Sequence, residues 1–250
     1  MRTIAFMIPK GGVGKTVSSV NFAYVLATDY KKKVLLVDLD PQGNASRAYG
    51  VVADDVSVST LLVDKTADVK EAIYHTQYPN IDVIPANLSL IKANQAVLLD
   101  STSIQQTRLR KHLKAVQGEY DFCIFDCPTD ISLSTLNAFA MADDVLIPMR
   151  VDLYSFDAIN KVASIVEDME DFNDNLKITG CFVTMFQKNN LNRKGLELLK
   201  QQPFPVFDTP IRHTVKVAES TYDRPLCAYA PNSTAAQDYK ALVAEFLKIK

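Results

Sequence analysis

No stretch of the 250 residues is apolar for long enough to cross a bilayer, so nothing in the chain reads as a membrane span. The apolar run Ile4 to Ile8 is too short for a secretory signal core and no cleavage site follows it, so the chain is expected to stay in the cytoplasm. Its four cysteines, Cys123, Cys127, Cys181 and Cys227, contain no C-x-x-C pair. That spacing speaks against a disulfide framework, a structural metal or an iron–sulfur scaffold, and for reduced, buried thiols. Histidine is scarce: His75, His112 and His213 stand alone, with no partner at catalytic spacing, and none is assigned as acid or base. Basic excess is missing too, with 27 Lys and Arg against 29 Asp and Glu and a net charge of -2. This excludes a surface coated with positive charge but leaves room for a local basic patch. No linker, internal repeat or low-complexity segment interrupts the chain, and a single domain over 1–250 is expected.

What is present is a repeated alternation of strand and helix patterns. Arg2 to Ile8 is a β-rich run, Pro9 to Thr16 a glycine-rich turn, Val17 to Thr28 a segment with helical apolar spacing, and Val34 to Val37 a continuous run ended by acidic residues and Pro41. The pattern continues with strands near 81–84, 122–125, 145–148, 176–184 and 206–207. Helices are expected near 88–99, 104–116, 132–141, 155–169, 191–200 and from Thr234 to the end. Such alternation predicts an α/β fold: a doubly wound, mostly parallel sheet with helices on both faces.

Three of the eight glycines fall in the string Pro9-Lys10-Gly11-Gly12-Val13-Gly14-Lys15-Thr16, between a strand and a helix. Glycine suits a backbone that must curl around phosphate oxygens with its N–H groups and a helix N-terminus aimed at the anion. Gly11, Gly12, Val13 and Gly14 therefore form the cradle. Lys15 supplies charge to the β- and γ-phosphates, and the Thr16 hydroxyl coordinates Mg, making this a P-loop NTPase signature. Asp38 and Asp40 end the second strand, in Val37-Asp38-Leu39-Asp40-Pro41-Gln42-Gly43-Asn44, and lie where a parallel sheet meets its ligand crevice. Phe122 to Phe125 ends in Asp126, which reads as a second Mg carboxylate acting through water.

These strings resemble the ParA/MinD superfamily of deviant Walker A ATPases, whose motif K-G-G-x-G-K-[ST] stands complete from Lys10 to Thr16. The resemblance runs from Ile4 to about Tyr239. It implies ATP and Mg as ligands and an ATP-dependent homodimer in which Lys10 reaches the partner's phosphates. It further implies that Asp40 orients the attacking water while Asp38 supports the metal's water shell. Cys127-Pro128 matches the D-C-P start of the family's second switch. Two departures stand out. Val17 replaces a usual threonine, keeping the backbone contact to the nucleotide but losing a hydroxyl to the α-phosphate, and Thr129-Asp130 stands where relatives tend to have Pro-Ser. The adenine pocket is placed at Met185, Pro210 and Ile211.

The segment Ile211 to Glu219 resembles the late ParA stretch whose basic residues touch DNA without sequence preference. From Phe186 to Pro225 there are seven Lys/Arg against four Asp/Glu. Lys216 is the first choice for a phosphate contact, followed by Lys188, Arg193, Lys194 and Arg212. Arg108, Arg110, Lys111 and Lys114 form a second basic strip, read as a solvated face with a partner surface as the alternative. The functional expectation is a partition ATPase that binds DNA non-specifically, associates with the nucleoid when ATP-bound, and is stimulated by a ParB-like adaptor. A MinD-like membrane switch is the competing reading and would need a basic amphipathic C-terminal helix. The tail instead places Ala235, Tyr239, Leu242, Val243, Phe246 and Leu247 on one face, as a packing helix does. A protein cargo is a further alternative. A metabolic ligase of the superfamily would lack the V-D-x-D-P-Q-G-N string. With no extension before the first strand, the helix-turn-helix operator-binding domain of larger ParA proteins is expected to be absent.

Overall fold

The computed structural model describes residues 1–53, 55–221 and 224–249, with the backbone alone for Leu153 and Tyr154. Seven strands form one sheet: β1 Arg2–Phe6, β2 Val34–Asp38, β3 Tyr74–His75, β4 Ile81–Ile84, β5 Phe122–Asp126, β6 Asp144–Met149 and β7 Lys177–Val183. Their order is β3-β4-β2-β5-β1-β6-β7, with every pairing parallel except β3 against β4. The helices are α1 Lys15–Thr28, α2 Asn44–Ala48, α3 Val58–Val63, α4 Ser89–Leu99, α5 Arg108–Lys114 and α6 Leu133–Phe139. They continue with α7 Leu153–Asp168, α8 Asn190–Lys200, α9 Val215–Ser220, α10 Leu226–Tyr229 and α11 Thr234–Phe246.

Strand residues alternate between two cores, because successive side chains point to opposite faces. Ile4, Phe6, Leu36 and Ile124 face α1 and α11, where Phe22, Leu26, Tyr239, Leu242 and Phe246 are buried. Ala5, Leu35, Val37 and Phe125 face the opposite layer with Leu61, Leu90, Leu109, Leu133 and Ile159. Phe22 stands edge-on between Phe6, at 5.4 Å between ring centroids, and Phe246, at 5.2 Å. The doubly wound sheet read from the sequence is thus the observed one, and the apolar face of α11 is consumed by the core.

Several element expectations change. Val206 and Phe207 form no regular strand; Val206 makes only an isolated parallel bridge to Cys181. Pro203 and Pro205 remove backbone donors there, which shortens any ladder. Phe207 instead lays its ring over Gly180, where an added Cβ would sit 2.5 Å from it. The expected helix over 104–116 divides into a 3-10 turn at Gln105–Thr107 followed by α5. α7 starts at Leu153, ahead of expectation, because Asp152 caps it by accepting the Ser155 N–H at 3.0 Å. Among the described residues, no helix is long and apolar enough to cross a membrane.

Candidate nucleotide and metal site

The site lies at the carboxyl ends of the central strands. β1 feeds the glycine loop, and its neighbour β5 ends in Asp126; β2, on the far side of β5, ends in Asp38, in register with Asp126. The topology alone therefore sets two carboxylates side by side next to the loop, as expected for an open α/β sheet. Gly12 and Gly14 have φ of +69° and +85°, values that a side chain strains. Gly14 precedes the first residue of α1, so the helix N-terminus opens into the loop. The Val13 carbonyl accepts from the Thr184 hydroxyl at 2.8 Å, which fixes the loop to the end of β7.

Lys15 is buried, and its ammonium donates to the carbonyls of Ile8 at 3.0 Å and Lys10 at 2.9 Å. Burial lowers its pKa, opposed by the nearby Asp126 charge. Thr16, in the first turn of α1, favours the ionised Asp126 carboxyl, and Ser19, one turn later, donates to Asp126 Oδ1 at 2.8 Å. Asp126 Oδ2 is buried without a partner. Asp38, fully buried, accepts from Ser46 N at 2.9 Å, Ser46 Oγ at 2.7 Å and Asp40 N at 3.1 Å. Burial holds both carboxyls above the ordinary range, reinforced at Asp126 by the charge of Asp38 and at Asp38 by that of Asp40. A hard cation suits this arrangement: two adjacent carboxylates, one orphaned buried oxygen and a threonine hydroxyl at a P-loop.

Asp40 sits beyond Asp38 on the loop, partly exposed, and its Oδ1 accepts from Gln42 N at 2.9 Å. Gly43 follows at φ +64°, and a Cβ there would meet the Ala86 carbonyl at 2.7 Å, so the loop lies tight against the end of β4. Lys10 turns away from its own loop: its ammonium pairs with Asp152 and lies 3.0 Å from Ser155 Oγ. The sequence reading missed Ser19, Ser46, Asp152, Ser155 and Thr184. Only Asp152-x-x-Ser155 carried a local signal, as a helix cap.

A cavity of about 420 Å³ opens beside Gly12, Gly14 and Val17 and is lined by Met185 and Ile211 together with Thr184, Thr214 and Val217. Met185 holds a left-handed φ of 52°. Pro210, expected as a third flank, is not among the lining residues; Arg212 and His213, beyond Ile211, are. Arg212 is partly exposed and is engaged within the chain. Its guanidinium makes a bidentate pair with Asp238, at 2.8 Å from Nε and 2.6 Å from Nη2, which ties the chain before α9 to α11. Lys216 is exposed in the first turn of α9, bonded to Glu219 at 2.7 Å. Lys188, Arg193 and Lys194 are exposed on α8 and the turn before it. The segments leading to α8 and α9 run side by side, with Phe186 N to Ile211 O at 2.9 Å and His213 N to Phe186 O at 3.0 Å. In the second basic strip, Arg108 is buried against Asp100, and Arg110 donates to the Phe172 carbonyl at 2.6 Å.

The family model described as an AAA domain matches residues 1–178. Sporulation initiation inhibitor protein Soj of Bacillus subtilis is 37% identical over 250 residues, covering 98% of this chain and 97% of that protein. Chromosome partitioning protein ParA of Myxococcus xanthus is 33% identical over 257 residues, covering 99% and 88%. Among solved structures, cobyrinic acid a,c-diamide synthase of Mycobacterium smegmatis with bound ATP analog and magnesium superposes with a TM-score of 0.85 at 26% identity, covering 99% and 95%. The glycine loop, the paired strand-end aspartates and relatives of this identity over nearly the whole length agree: the chain belongs to the Soj/ParA family of P-loop ATPases.

Proposed function

We propose that the protein, a single ATPase unit over residues 1–250, is a Mg-dependent ATPase that dimerises around ATP and partitions or positions DNA. On this reading the ATP-bound form sits on the nucleoid and a ParB-like adaptor stimulates hydrolysis. The observation that carries the chemistry is Asp126, which has a buried, orphaned Oδ2 and stands in register with a fully buried Asp38 at the strand ends beside the glycine loop. An uncompensated carboxylate pair is costly, and a divalent cation with its waters is the natural counter-charge. Mg would be held through Thr16 and Asp126, with Asp38 behind its water shell, and would supply charge neutralisation on the phosphates.

The chain's own residues do the rest. Loop N–H groups from Gly11 to Thr16, with Val17 following, grip the phosphates, and Lys15 leaves the carbonyls of Ile8 and Lys10 to meet the anion. Asp40, partly exposed on the loop pinned at Gly43, orients the attacking water. Lys10 exchanges Asp152 for a phosphate of the partner. The base occupies the cavity at Met185 and Ile211.

The DNA assignment draws on Lys216, Lys188, Arg193 and Lys194, exposed on adjacent segments. Each dimer would present two such patches, so binding requires ATP and weakens with salt in proportion to the phosphates neutralised. Burial of the α11 apolar face weighs against the membrane reading, since the helix that would insert is already packed. The test is retention on non-specific duplex DNA at two salt concentrations with ATP or ADP, for the parent and Lys216→Glu. The parent is expected to bind only with ATP and at low salt, and Lys216→Glu to bind less while keeping basal hydrolysis. Parent protein that ignores DNA but sediments with anionic vesicles in ATP would reverse the assignment. Retention on neither would point to a protein cargo.

A further inference from the structure

Lys10 and Asp152 join two parts of the molecule that are far apart in sequence. Through this partly exposed pair the glycine loop is tied to the segment Met149 to Asp152, which connects β6 to α7. Thr184 adds a second tie, its Oγ1 lying 2.8 Å from the Val13 carbonyl and 3.1 Å from the Met149 carbonyl. On its other side the same segment carries α8. Gly195 is buried in the middle of that helix, and a Cβ built there would stand 1.8 Å from Val151 Cγ1 and 3.1 Å from Val151 Cβ. The helix backbone thus rests directly on the Val151 side chain, with no side chain of its own at that point to absorb a shift.

Residues 151 and 152 are neighbours in sequence, joined by one planar peptide unit, so a displacement of the Asp152 backbone is passed on to Val151. Because the Lys10–Asp152 pair is partly exposed, it can open without leaving a buried charge stranded. We propose that α8 is a nucleotide-responsive element, displaced through Val151 when Lys10 gives up Asp152. The proposal rests on the reading of Lys10 as a ligand of the partner's phosphates and extends it to an output. Arg193 and Lys194 ride on α8, so the state of the phosphate loop resets the basic surface before any polyanion is met.

Glu197 is exposed on α8, and all four native cysteines are buried, so Glu197→Cys can be labelled selectively with an environment-sensitive maleimide. The expected result is a shift in label emission on adding ATP, and the same shift without nucleotide in Asp152→Asn. Because Asp152 also caps α7, Lys10→Ala provides a second route: it removes the tie, spares the cap and is expected to give that same nucleotide-free shift. Val151→Ala should abolish the ATP-driven shift while light scattering still reports ATP-dependent dimers. Nucleotide-free spectra of Asp152→Asn and Lys10→Ala that superimpose on the parent's would overturn the proposal, whether or not dimers form. Absence of an ATP-dependent dimer in the parent would instead show that the sandwich reading of Lys10 has failed.

Discussion

Replacing Asp126 with asparagine is expected to stabilise the nucleotide-free protein while removing its response to magnesium. Asp126 Oδ2 is buried with no donor, and Asp38 adds like charge from the adjacent strand end. An unsatisfied buried polar atom costs about 1–3 kcal/mol, and a charged one more. Asparagine keeps an oxygen for the Ser19 hydroxyl and removes the charge repelled by Asp38. A gain of about 2 kcal/mol follows, which in a chain of this size raises Tm by roughly 4–8 °C.

The pH dependence follows from the direction of the shifts. Both carboxyls titrate above the ordinary carboxylate range, so the folded state retains protons that the unfolded chain has already released. The parent's stability therefore falls as pH rises from about 4 through the native titration range, and is level above it. Asp126→Asn lacks its share of that loss, so the difference in Tm should widen between pH 5 and pH 8. Calorimetry in chelator at both pH values measures it, and repeating the scans with Mg and ATP tests the cation. A variant that melts at or below the parent at pH 8, or a difference that does not change with pH, would refute the account of this carboxylate pair.

Lys15→Ala should abolish binding of a fluorescent ATP analogue, because it removes the loop's ammonium; unchanged affinity would contradict the phosphate assignment. Asp40→Ala should still bind ATP yet lose hydrolysis and accumulate as a dimer, read by light scattering in ATP, and a monomer with normal turnover would reassign the residue. A Cβ at Gly12 would meet no atom within 4 Å in the single chain, so the cost of Gly12→Val there lies chiefly in the strained φ of +69°. Its larger effect should be loss of the ATP-dependent dimer in the same experiment. Arg212→Ala should lower stability by about 1–2 kcal/mol through the lost Asp238 pair, which is half exposed at the arginine, and leave DNA retention at the parent's level.

The sheet was legible in the sequence because its strands are buried on both faces and read as unbroken apolar runs, as in Val34 to Val37 and Phe122 to Phe125. The glycine loop was legible because its backbone demands are local. Short helices were not: α2 has five residues and α3 six, less than two turns, too few to establish a period. Nor were pairings between distant positions. Arg212 and Asp238 stand 26 residues apart, Lys10 and Asp152 142 apart, and no local pattern reveals that a surface-looking arginine is spent on α11. The cavity beside the glycine loop shows the same limit: Met185 and Ile211 line it and Pro210 does not, a distinction that only the fold could draw.

The two margins of the sheet bear on how such a protein survives crowding. β3 is only two residues long, runs antiparallel to the rest and carries His75, bonded at 2.7 Å to Asp82 of β4. At the opposite margin, Val206 and Phe207 lie along β7, with Phe207 N bonded to Cys181 O at 2.9 Å. Short, charged or covered margins deny a second sheet the row of free N–H and C=O groups that templates fibre growth. Such margins leave little of the sheet open to strand addition from a second copy, so a high local concentration of the chain does not by itself favour sheet-to-sheet pairing there.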